Sequence, residues 1–191
     1  MKTFLMAASA LTLIATPAFA QTTQTVDVTA SVPQTCTIGD PATIALSSLG
    51  VNTTAGANAL TLVNSGTYVA SETENFWVSC NDTNRMTITS LNQGHLVRTG
   101  AAPTAAETDQ GFTNKIAYHI GATNYRPGVD WQYQPTLNEG NNNNYMNHTR
   151  GAIHQEVGML ARITTNGKNA GKRPLAGAYS DTVTITVQIA A

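Results

Sequence analysis

Hydrophobic and polar residues alternate with a period of two in several short runs of this chain. The longest run lies at residues 182–189. Val183, Ile185, Val187 and Ile189 alternate there with Thr182, Thr184, Thr186 and Gln188. This spacing predicts a strand with one face on a core and the other in water. Its β-branched residues suit a pleated surface, and Ala176-Gly177-Ala178 supplies a turn before it. A second clean run is Val26, Val28, Ala30 and Val32, alternating with Asp27, Thr29 and Ser31 and closed by Pro33. The pattern leaves two roles open for it. It is either the first strand of a closed fold or a spare strand with no partner in its own domain.

Further runs lie between these two. Phe76, Val78 and Cys80 alternate with Trp77 and Ser79. The turn cluster Asn81-Asp82-Thr83-Asn84 follows, then Met86 and Ile88. Together they predict a hairpin with a four-residue turn. Ile116, Tyr118 and Ile120 define another strand, with His119 on its opposite, exposed face. Val157, Met159, Ala161 and Ile163 define a further one, and Ile44 with Leu46 suggests a short one. Ser47 to Gly66 and Gly94 to Gly111 are rich in small and polar residues. Asn138 to His148 is an Asn-rich loop, and Gly167 to Arg173 is a basic, solvated turn. No segment after residue 20 carries an apolar stripe of helical period. Many short strands punctuated by turns predict an all-β sandwich with Greek-key connections.

Compartment follows from residues 1–20. Lys2, the apolar run Phe4 to Ile14 and the ending Pro17-Ala18-Phe19-Ala20 have the form of a cleaved signal peptide. Export would expose Cys36 and Cys80, the two cysteines, to oxidising conditions, and a disulfide between them is expected. Only 11% of residues are charged and the net charge is −1. Without a basic stripe, a nucleic-acid binder is disfavoured, and little charge opposes self-association.

Catalytic chemistry finds no constellation. His95, His119, His148 and His154 are scattered without metal-ligand spacing. The stretch Gly167 to Arg173 lacks the spacing and hydroxyl of a phosphate loop. Trp131 and Tyr133 could stack on a sugar, although aromatic side chains more often pack within a fold. The expectation is a chain with no catalytic site, metal or cofactor.

The run from Ala176 through Tyr179 and Asp181 to Val187 resembles the closing strand of the spore coat protein U family. That family includes the pilin subunits of archaic chaperone–usher pili. Cys36 soon after a Val/Thr strand, Phe76-Trp77-Val78-Ser79-Cys80 with the Thr-Ile-Thr strand beyond it, and Lys115 to Ile120 with Trp131 carry the likeness further. Ser47 to Gly66, Thr164 to Pro174 and Asn138 to His148 depart from the family pattern.

The resemblance implies an incomplete immunoglobulin-like sandwich, residues 34–191, completed by donor-strand complementation. Residues 21–33 would be the donor segment, with Val26, Val28, Ala30 and Val32 entering a neighbour. Val183, Ile185, Val187 and Ile189 would line the acceptor groove. Implied partners are other copies or related subunits, a periplasmic chaperone and an outer-membrane usher. The implied destination is a fibre at the cell surface that serves adhesion or biofilm formation. Two other readings stay open: a coat protein that does not polymerise, and an extracellular carbohydrate-binding module using Trp131, Tyr133 and the Asn-rich loop.

Overall fold

A computed structural model of the chain describes residues 24–47, 49–125 and 145–190, the last range beginning with four residues known by their backbone. The predicted signal peptide, Trp131, Tyr133 and residues 138–144 lie outside the described residues. The chain divides into two units, one up to Val32 and one from Pro33 onward.

In the first unit, Gln24 to Val32 forms no strand despite its alternation. Val26, Val28 and Val32 are 84%, 92% and 80% exposed. Three large aliphatic side chains in water forgo the free energy of burial, about 1.5–3 kcal/mol each.

Among its described residues the second unit is all-β apart from one turn of α-helix, α1 (Ala105–Asp109), and a 3-10 turn at Gly167–Asn169. Its strands are β1 (Cys36–Ile38), β2 (Ala70–Cys80), β3 (Asn84–Ser90), β4 (His95–Arg98), β5 (Phe112–Thr113), β6 (Lys115–Ala117), β7 (His119–Thr123), β8 (Tyr145–Arg150), β9 (Ile153–Ile163), β10 (Arg173–Pro174), β11 (Tyr179–Ser180) and β12 (Val183–Ile189). A four-stranded antiparallel sheet has the order β1-β2-β9-β7. A three-stranded antiparallel sheet has the order β12-β3-β8. A smaller one runs β11-β4-β6, and β10 pairs with β5 in parallel.

One hydrophobic cluster joins these sheets. Phe76, Val78, Ile120, Val157, Met159 and Ile163 come from the four-stranded sheet, and Met86 and Ile88 from the three-stranded one. The alternation read from sequence identifies the inward side chains of β2, β3 and β9, while Trp77 points outward at 52% exposure. Cys36 and Cys80 are register partners in the β1–β2 ladder and form a disulfide.

Several pairings differ from the sequence expectation. β2 and β3 do not form a hairpin but lie in different sheets. The reason is edge occupancy. β9 takes one edge of β2 along its whole length and β1 takes the other beside Val78 to Cys80, so the chain must cross the core to find a partner. Their inward faces therefore meet through side chains. The Lys115 to Gly121 run is likewise broken at Tyr118. β6 pairs with β4, whereas β7 pairs with β9. The end of the Asn-rich segment is strand rather than loop, since Tyr145 to Arg150 pairs with β3.

Polar residues secure the rest. Asn169, in the supposedly solvated turn, is 5% exposed. Its amide accepts from Ala117 N at 2.9 Å and donates to Ala117 O at 2.8 Å and Thr164 O at 2.9 Å. In the same segment, Arg173 donates to Ala59 O at 3.0 Å, Gln110 O at 2.7 Å and Ala57 O at 2.6 Å. His119 is half-buried rather than exposed. Burial, with the Arg162 guanidinium beside it, holds its imidazole below the usual range.

Candidate functional site

β12 is an edge strand. Among the described residues it pairs with β3 alone, through a register that sets Ile185 opposite Ile88 and Val187 opposite Met86. The cross-strand partners differ in burial. Ile88 and Met86 are 1% and 2% exposed, whereas Val183, Ile185, Val187 and Ile189 are all only half-buried. The apolar face of β12 thus stays incompletely covered along a strand edge with no ladder partner. Such an edge is a template for another strand.

An apolar groove of about 320 Å³ runs beside it. Val183 and Ile185 form one wall. Ile44 and Leu46, from residues 41–46, form the other. Ile120, Met159 and Ala161 of the four-stranded sheet contribute the floor. Leu96, Tyr118 and Asp181 also line it. The wall at 41–46 has no strand structure, contrary to the expectation for Ile44 and Leu46. A segment becomes a strand only where a ladder partner satisfies its backbone, and neither β2 nor β12 pairs with it.

Of the residues expected in an acceptor site, Val183 and Ile185 line the groove. Val187 belongs with them to the partly buried residues packed on the core. Val187 and Ile189 share the inward face but lie outside the cavity lining. Cys36 and Cys80 stabilise β1 against β2 and do not line the cavity. Val26, Val28, Ala30 and Val32 are exposed in their own unit. Among the described residues, no three His, Cys, Asp or Glu side chains gather as a metal site requires.

In the sequence Asp181 is legible only as part of the closing run, with no role of its own. Its carboxylate accepts from the Ser90 hydroxyl at 2.5 Å, the Tyr118 hydroxyl at 2.6 Å, Asn92 N at 2.9 Å and Thr182 N at 2.8 Å. Ser90 in turn accepts from Gly94 N at 2.6 Å. An Asp after a turn and before a strand is common, so nothing local marked it.

The arrangement offers apolar contact and a strand edge. The chain matches no protein-family model, and no curated protein matches it in sequence.

Proposed function

We propose that this chain is the structural subunit of a surface fibre, built when residues 26–32 of one copy enter the groove of the next. The observation that carries the reading is the half-buried row on β12. Four half-buried aliphatic side chains alternate along a strand whose second edge has no partner among the described residues, and two of them, Val183 and Ile185, line the apolar groove. A strand placed there would complete their burial and satisfy the edge backbone, which is recognition by strand addition.

Residues 26–32 have the complementary properties. They match the seven residues of β12 in length. They alternate with the same period, and their valines are exposed. Burial of three valines would contribute about 5–9 kcal/mol before ordering costs. In this reading the domain is an incomplete immunoglobulin-like Greek-key sandwich. The resemblance to spore coat protein U and archaic pilins supplies the rest: passage through the periplasm, a chaperone that fills the groove in transit, an usher, and a role in adhesion or biofilm.

The test is expression of the mature chain with and without residues 21–33, with unboiled samples run on a denaturing gel. Ladders of stable oligomers that disappear on truncation are expected. A monomer from the full mature chain, unchanged by truncation, would overturn the proposal.

A further inference from the structure

We infer that Asp181 is a positioning residue that holds β12 in place so that the groove stays open for an incoming strand. The inference rests on the reading of the groove as a strand acceptor. An apolar groove with one wall on an edge strand has a collapsed alternative, in which that strand tilts inward and covers its own exposed face. Among the described residues β12 has a ladder to β3 on one side only, so contacts other than strand pairing are needed to resist the tilt.

Asp181 is placed to do this. It directly precedes Thr182 and Val183, where β12 begins, and it lines the groove itself. Its four hydrogen bonds tie that end of β12 to two separate parts of the fold. Ser90 and Asn92 belong to the end of β3 and the turn after it. Tyr118 joins β6 to β7, lines the groove as well and is 2% exposed. The carboxylate therefore spans from β3 to the β6–β7 junction and sets the spacing between them. With two donors on each oxygen its acceptor capacity is filled. It acts as a spacer rather than a contact for the incoming strand, and a prepared site binds more tightly because less must be ordered.

The experiment uses the full mature chain carrying Val28→Asp, which removes its own donor face. The probe is a labelled synthetic peptide with the sequence of residues 24–33, followed by fluorescence anisotropy. Asp181→Ala in this background is expected to weaken peptide binding about tenfold, mainly through slower association, with the disulfide and β-sheet circular dichroism retained. Asp181→Asn keeps an acceptor oxygen and should recover part of the loss. A purely stabilising role would lower the melting temperature without changing the association rate. Equal peptide affinity for the parent and Asp181→Ala would overturn the inference while leaving the acceptor reading intact. Failure of the Val28→Asp parent to bind peptide would overturn both. Should Asp181→Ala not fold, Tyr118→Phe removes a single donor and should slow association about threefold. An unchanged rate there would equally overturn the inference.

Discussion

The Tyr125 hydroxyl donates to the side-chain carbonyl of Asn84 at 2.6 Å, and both residues are sealed from solvent at 1% and 0% exposure. The Asn84 amide nitrogen also donates to Gly151 O at 2.7 Å and Asp82 O at 3.0 Å. One side chain therefore satisfies three groups where the chain crosses between sheets. Asn84→Ala should cost about 3 kcal/mol, because a cavity opens and the polar partners lose their bonds. Urea unfolding of the two proteins measures this. A loss below about 0.5 kcal/mol would contradict the account.

The same pair sets a dependence on alkaline pH. Burial pushes the Tyr125 phenol up to about 12, with the Arg150 guanidinium acting in the opposite direction. From pH 10, the ordinary value, to about pH 12, the unfolded chain releases this proton while the folded chain keeps it. Stability that is fully present below pH 10 should thus fall as pH rises through about 12, by about 2–3 kcal/mol from this group. Burial raises Tyr179 as well, so Tyr125→Phe should flatten the slope without abolishing it. Urea midpoints across this range provide the check.

Gly158 on β9 has no room for a side chain. A Cβ there would lie 2.3 Å from Thr123 Oγ1 and 3.0 Å from both Asn75 Oδ1 and Thr73 Cγ2. Gly158→Ala should destabilise by about 1–3 kcal/mol through overpacking. Adding Thr123→Ala should return part of that loss, giving a non-additive double-mutant cycle. Strict additivity would show that the crowding is relieved elsewhere.

Arg173 gathers carbonyls from three places, residues 57, 59 and 110. A planar guanidinium reaches these carbonyls from three separate nitrogens, whereas an ammonium would have to serve them all from one. Arg173→Lys should therefore behave almost like Arg173→Ala, each losing about 2 kcal/mol. Faster hydrogen exchange in residues 50–63, measured by mass spectrometry, should accompany the loss. A Lys variant that matches the parent would show that charge alone suffices.

Inward faces were legible in the sequence wherever one side of a strand is buried. The alternation at Phe76/Val78/Cys80, Met86/Ile88 and Val157/Met159/Ala161/Ile163 matches the core. Sheet membership was not legible. The period is the same whichever strand lies alongside, and the apparent 81–84 hairpin is excluded only by β1 and β9 holding the edges of β2. Within the candidate site, the face of β12 could be read from its own residues. The wall at Ile44 and Leu46, the floor at Met159 and the Asp181 network depend on contacts between distant segments, which local pattern does not encode. Asn169 and Arg173 looked like solvated turn residues for the same reason. Their partners, Ala117 and Ala57 among them, lie far away in sequence.

The composition of the groove walls also has a kinetic consequence. Ile44 and Val183 face the same cavity from nearly opposite ends of the described chain. The disulfide, by contrast, closes a loop within the first half of the chain. Contacts of large sequence separation form late and slowly. The Cys36–Cys80 link joins segments that include no part of β12, so it can form independently of that strand. The groove should therefore come into being late in folding, and until β12 docks the apolar residues of its floor, Ile120, Met159 and Ala161, are without one of their walls.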